Sequence, residues 1–315
     1  MSRWPNFFIA GAPRCGTSSL HSYLQRVPGI YMSRIKEPNF FSGSVIGDDH
    51  PMVKPIRDEK QYLQLFSAAG DAQIVGEATP FYLEDPDAPR LIHEAVPDAK
   101  VIVSLRDPVE RLYSHYLMMR NNRPSMGSFM DEIMRGLAMR DSRSRAVLTP
   151  STGLYSRQVS RFGNSFGSGQ FKVLILEEWR HDVSNALRQI LRFLGVDHDL
   201  RGFSAPPQRR YGEARGPMVR YVFGNRTISR VTEALIPFSL RKLIRNAVLV
   251  KQMPKPPMPA EAREFLCHYY RDDVRRLESL LGRRLPWRNF GSRTADRLIL
   301  DARTLTGHRQ PEVPT

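Results

Sequence analysis

Residues 6–20 read NFFIAGAPRCGTSSL. Phe7-Phe8-Ile9-Ala10 is a short apolar run of the kind that forms a buried strand. Leu20, Tyr23, Leu24 and Val27 then recur at helical spacing. Gly11, Pro13, Arg14, Gly16, Thr17 and Ser18 therefore lie on a strand-to-helix turn. Such a turn aims backbone N–H groups and the positive end of a helix dipole at whatever docks there, which suits a phosphate. The spacing Gly11-x-x-x-x-Gly16 matches the front of a nucleotide P-loop, but Thr17-Ser18 follows in place of Lys-Ser or Lys-Thr. A cation is present earlier, at Arg14. The turn is read as binding a phosphorylated nucleotide without the equipment of an ordinary NTPase.

Working outward, strands are expected at Asn6–Ala10, Gln73–Gly76, Lys100–Leu105 and Phe171–Leu176, each short, apolar and followed by turn or polar residues. Helical stripes alternate with them: Val109, Leu112, Tyr113, Tyr116 and Leu117, then Leu187, Ile190, Leu191 and Leu194. A long final helix is expected from Ala262, Phe265, Leu266, Tyr269, Leu277 and Leu281. This alternation predicts an α/β fold, a mostly parallel central sheet covered by helices on both faces. Ligands in such sheets sit beyond the carboxyl ends of the strands. Arg14 and Arg106 both follow predicted strands at those ends, so the two side chains are expected to converge.

The 315 residues are read as one domain over about residues 5–290, because no Gly/Ser linker or repeat divides them. Residues 201–260 contain Pro206-Pro207, Pro217, Pro237 and Pro254-Lys255-Pro256-Pro257 and are read as a lid or acceptor-side insertion. Residues 291–315 are read as a tail. Lys and Arg number 47 against 32 Asp and Glu, a formal charge of +15, which fits anionic ligands. The cations are scattered, with clusters at Arg140–Arg145, Arg209–Arg215 and Arg241–Lys251, so the excess is read as electrostatic steering and no nucleic-acid partner is expected. Two cysteines, Cys15 and Cys267, make neither a disulfide framework nor a metal site. With no signal-peptide pattern and no run of ~20 apolar residues, a cytoplasmic protein is the expectation. The basic, amphipathic stretch 240–251 (LRKLIRNAVLVK) is weighed as a peripheral membrane contact against a packed helix with snorkelling cations.

Lys36-Glu37-Pro38-Asn39-Phe40-Phe41 and SLRDPVERLYS at 104–114 add two further motifs. Together with GAPRCGTSSL, and in this order, they resemble the sulfotransferases that use 3′-phosphoadenosine 5′-phosphosulfate (PAPS), particularly the heparan-sulfate group and its bacterial counterparts. The resemblance continues through Gly76-Glu77-Ala78-Thr79-Pro80 and Gly153-Leu154-Tyr155 and ends near Trp287. It implies PAPS as co-substrate, a P-loop-like turn holding the 5′-phosphosulfate, and an acceptor hydroxyl or amine on a carbohydrate, glycolipid or small metabolite. Where family members carry a membrane anchor ahead of this domain none is read here, so a bacterial-type cytoplasmic enzyme is expected.

The resemblance implies that Arg14, Cys15, Gly16, Thr17 and Ser18 hold the 5′ side, with Arg14 also serving catalysis at the leaving group. Lys is commoner than Arg at this position; Arg keeps the charge and binds bidentately. Glu37 is the implied general base, with Phe40 and Phe41 as an apolar wall beside it. Arg106 and Ser114, eight residues on, are the implied clamp on the 3′-phosphate. Arg215 is a candidate for a late loop closing over that phosphate, with Arg209 and Arg210 as alternatives, and Tyr155 is a candidate to face the adenine. Thr79 and Tyr82 resemble residues lining the acceptor cleft. No metal is expected.

Plainer readings stand beside these: Arg14 as a turn cap, Lys36–Glu37 as an exposed ion pair worth little, Arg106–Asp107 as a structural pair, Cys15 as a small buried side chain, and Tyr155 as core. His21 and His115 are the competing bases. A P-loop-like kinase and a non-enzymatic basic nucleotide- or membrane-binding module are the rival functions.

Overall fold

The computed structural model describes residues 3–47, 54–123, 125–139, 147–200, 203, 212–214, 250–252 and 254–291. Five parallel strands form the central sheet in the order β2-β3-β1-β4-β5. They are β1 (Phe7–Gly11), β2 (Ile30–Met32), β3 (Ile74–Ala78), β4 (Lys100–Leu105) and β5 (Phe171–Ile175). Four match the expected strands to within a residue or two. The fifth, β2, was missed because its three residues on the sheet edge are too few for a period to show.

Along β1 the side chains alternate between two cores, as a strand's period of two requires. Phe8 and Ala10 join Val75, Val101 and Val103 on one face, and Phe7 and Ile9 join Ile74, Ile102 and Leu174 on the other. Both faces are covered, so the strand reads as an unbroken apolar run. The first face is covered by α3 (Ala88–Ala95), α4 (Pro108–Asn122), α6 (Tyr155–Ser165) and the 22-residue final helix α9 (Ala260–Leu281). The second is covered by α1 (Thr17–Leu24) and α8 (Val183–Leu194). Short helices α2 (Glu59–Gln64), α5 (Phe129–Ala138) and α7 (Leu176–Trp179) are the remaining α-helices among the described residues.

The helices that follow the neighbouring strands β1 and β4 thus lie on opposite faces. Doubly wound sheets place their ligands at the carboxyl ends of strands related in this way. Within the 201–260 region, β6 (Gly212–Ala214) and β7 (Val250–Gln252) pair antiparallel. Arg215, Arg209 and Arg210, nearly all of the 240–251 stretch, and the tail from 292 onward lie outside the described residues.

Candidate functional site

The turn after β1 is held from behind by its neighbours. Ser104 on β4 accepts from Ala12 N through its carbonyl at 2.8 Å and donates its hydroxyl to Cys15 O at 2.7 Å. Trp179 Nε1 donates to the same hydroxyl at 2.9 Å. Gly16 caps α1 at φ 83, a left-handed conformation that suits glycine, with no side chain capping the helix. A Cβ on Gly16 would stand 2.3 Å from Trp179 Cζ2, so the tryptophan packs on the bare α-carbon. Thr17 is buried and Ser18 exposed.

Cys15 and Tyr155 support this turn from the core. Both side chains are fully buried, with the thiol 3.9 Å from the Tyr155 hydroxyl. Burial pushes the thiol up to about 11, against the opposing charge of Arg111, so Cys15 is the inert small side chain of the plainer reading. Tyr155 must be corrected: a ring without exposed surface has no face to offer an adenine.

Arg14 itself is exposed and projects from a left-handed backbone, φ 69, toward α4. Its Nε and Nη2 donate to Ser114 Oγ at 3.3 and 3.2 Å, and Nη1 approaches Met118 Sδ at 3.5 Å. The structure therefore joins Ser114 to Arg14, while Arg106 is held by a different partner, Glu110. Arg106 sits just beyond β4, its Nη2 3.8 Å from Glu110 Oε2. Lys255 Nζ lies 2.7 Å from that same oxygen and 4.7 Å above the Tyr113 ring, while Arg263 Nη1 takes Glu110 Oε1 at 3.1 Å. Burial would raise the Glu110 carboxyl, but Lys255, then Arg263 and Arg106, hold it below its ordinary value. Arg106, Lys255 and Arg263 thus gather on one carboxylate beyond the end of β4, with the carboxyls of Asp107 and Glu177 close by. The Arg106–Asp107 pair is not what forms: Asp107 caps α4 at Val109 N (3.0 Å) and accepts from Asn289 Nδ2 at 2.8 Å.

The segment bearing Glu37 is tethered on the other side of β1. Glu37 N donates to Ala78 O at the end of β3 at 3.0 Å, and Thr79 N donates to Ile9 O at 3.1 Å. The Glu37 carboxylate pairs with Lys36, and the two side chains are 37% and 22% exposed. The expected ion pair exists, half-buried where a surface pair was expected. Phe40 and Phe41 belong to an aromatic cluster: Phe40 stacks on Tyr62 at 4.2 Å and Phe41 packs on Phe8 and Tyr82. They anchor the segment in the core. Thr79 and Tyr82, expected to line an acceptor cleft, are fully buried on a carboxylate that the sequence reading passed over, Glu77. Of the competing bases, His21 is spent on Ser33 O at 3.0 Å, and burial lowers its pKa; His115 is half-buried on α4.

Glu77 is 0% exposed, and burial pushes its carboxyl up to about 7 against hydrogen bonds from Thr79, Tyr82 and Tyr62 and the charge of Lys36. Its folded value exceeds its ordinary 4.5. Its stability contribution is therefore fully present below about 4.5 and is lost as pH rises through about 7. Glu77→Gln should remove that loss, so the urea midpoint of the variant is expected to gain on the wild type between pH 5 and pH 8. A constant separation across that range would refute the shift. Arg111 is a second buried charge missed in sequence; its Nη2 donates to Thr152 Oγ1 at 2.6 Å, and among the described residues its Nε and Nη1 find no hydrogen-bond partner. Glu77, Glu110 and Arg111 gave no signal because each sits inside a motif already read through its neighbours.

Among the described residues no group of three or more His, Cys, Asp or Glu is arranged to hold a metal ion, and no helix is long and apolar enough to cross a membrane. The fold and site thus define an α/β protein whose neighbouring strands β3, β1 and β4 each hold one motif at a shared edge of the sheet.

Comparisons with known proteins agree. A model of the sulfotransferase family matches residues 55–199. A sulfotransferase crystal structure from Alicyclobacillus acidocaldarius is 30% identical, with a TM-score of 0.70, over 91% of this chain and 99% of that one. Carbohydrate sulfotransferase 15 of Mus musculus is 30% identical over 248 residues, 61% of this chain and 44% of that protein. Heparan sulfate glucosamine 3-O-sulfotransferase 6 of Homo sapiens is 30% identical over 195 residues, 62% of this chain and 53% of that protein. The chain spans about half the length of these two relatives. It belongs to the sulfotransferase family.

Proposed function

We propose that this chain transfers a sulfuryl group from PAPS to a hydroxyl or amine of an acceptor, with a carbohydrate as the favoured class, releasing adenosine 3′,5′-bisphosphate. The observation that carries the reading is the placement of three motifs on three adjacent strands. Glu37 is tied to the end of β3, Arg14 follows β1, and Arg106 follows β4. In-line transfer needs an acceptor base on one side of the sulfur and positive charge on the other. Glu37 takes the acceptor proton as the acceptor atom bonds to sulfur. Arg14 stabilises the charge left on the 5′-phosphate as the bridging S–O bond breaks. The backbone of the 14–18 turn, at the uncapped start of α1, orients the 5′ group. Arg106 and Ser114 grip the 3′-phosphate, which requires Arg14 to release Ser114 as it turns to the 5′ side. The names of the two protein relatives favour a carbohydrate acceptor, and the 201–260 region remains our candidate for its recognition.

The test is nucleotide selectivity. Adenosine 3′,5′-bisphosphate should bind without added metal and about ten- to a hundredfold more tightly than AMP, since one charge-assisted contact is worth about 1.5–3 kcal/mol. Calorimetry with both nucleotides and with ATP decides it. Equal affinity, or a requirement for magnesium, would sink the assignment.

A further inference from the structure

Three hydroxyls converge on the buried Glu77 carboxylate. Tyr62 and Tyr82 donate to Oε1 at 2.9 and 2.6 Å, and Thr79 donates to Oε2 at 2.6 Å. Above pH about 7 Glu77 is ionised and its carboxylate only accepts, while a hydroxyl has one proton to give. Thr79 and Tyr82 therefore turn only lone pairs to the rest of their surroundings. Two main-chain amides use them: Asn39 N donates to Thr79 Oγ1 at 3.5 Å and Phe41 N donates to Tyr82 Oη at 3.4 Å. Both distances are at the long end of the range, yet Asn39 and Phe41 are buried, and a buried amide needs an acceptor. The turn they belong to is also strained, with Glu37 at φ 63 and Asn39 at φ 57. Asparagine tolerates that region; a glutamate is kept there only by ties from outside.

We propose that Glu77 is a positioning residue for sulfuryl transfer: by orienting the hydroxyls of Thr79 and Tyr82 it fixes the main chain of the 37–41 turn and so places Glu37. This rests on the reading of Glu37 as the base. Tyr62 makes the same kind of bond to the same oxygen but passes none on to the turn's amides, which separates a relay from a mere core contact. Lys36 is the other charged group facing Glu77.

Removing Glu77 would orphan three buried hydroxyls and endanger the fold, so the test compares Tyr82→Phe with Tyr62→Phe. Each deletes one hydroxyl and keeps its ring. Two readouts are followed: hydrogen exchange at the Phe41 amide, and release of adenosine 3′,5′-bisphosphate from PAPS with heparan sulfate chains present. In Tyr82→Phe the amide should exchange about tenfold faster, the loss of one hydrogen bond. Turnover should fall by about tenfold or more with KM for PAPS unchanged, because the base is misplaced while the nucleotide turn is intact. Tyr62→Phe should leave both readouts within about twofold. Equal effects of the two variants, or an unchanged Phe41 amide in Tyr82→Phe, would overturn the proposal. Glu37→Gln run in parallel separates the two claims: if it keeps full turnover while the Phe41 amide still loosens selectively, the tether stands and the base assignment is what fails.

Discussion

Glu37→Gln is expected to lower turnover by about 10²–10⁴-fold, the range a general base supplies, with the affinity for adenosine 3′,5′-bisphosphate nearly unchanged. The separation follows from the layout of the site. Glu37 is held from β3, on the opposite side of β1 from Arg106 and Ser114, and its carboxylate pairs with Lys36 and not with either nucleotide motif. Gln keeps the size of the side chain, and 37% exposure leaves it free of any packing role that the amide would break. The turn's backbone ties, Glu37 N to Ala78 O among them, do not involve the carboxylate and should survive. Steady-state rates set beside calorimetric affinities check the prediction. A loss under about tenfold would move the role to another residue, with His115 the first to examine.

Arg14→Ala should damage binding and rate together, because its charge meets the nucleotide in both the ground state and the transition state. Nucleotide affinity is expected to fall about ten- to a hundredfold and turnover by about 10²–10³-fold, the cost of removing one donor from a developing charge. Arg14 is exposed, and it meets Ser114 and Met118 through its guanidinium. Thermal stability should therefore stay within about 0.5 kcal/mol of the wild type. Arg14→Lys restores the cation and should recover most of the rate, since Lys is a common occupant of this position in the family the chain resembles. A variant that loses stability along with activity would point to the turn-cap reading instead.

Much of this protein was determined by local sequence. Four strands, the helical stripes and the long α9 follow from apolar periods, which record which side of an element meets a core. The 11–16 turn follows from glycines that the chain needs for its own conformation: Gly16 is left-handed and lies under Trp179. The order of the three motifs, and their position at strand ends, were legible for the same reason. Tertiary structure decided which side chains meet. Arg14 reaches Ser114 a hundred residues away, Lys255 reaches Glu110 from beyond β7, and Glu77 gathers hydroxyls from α2 and from the turn after its own strand. It also decided which candidates face inward. Tyr155, Thr79 and Tyr82 carry polar groups that a sequence presents as ready for a ligand, yet all three are buried and spend those groups on Cys15 and Glu77. Periodicity reports the burial of an element's face; whether a hydroxyl on it meets a carboxylate or a substrate depends on what other elements bring there, and only the packed sheet and helices supply that.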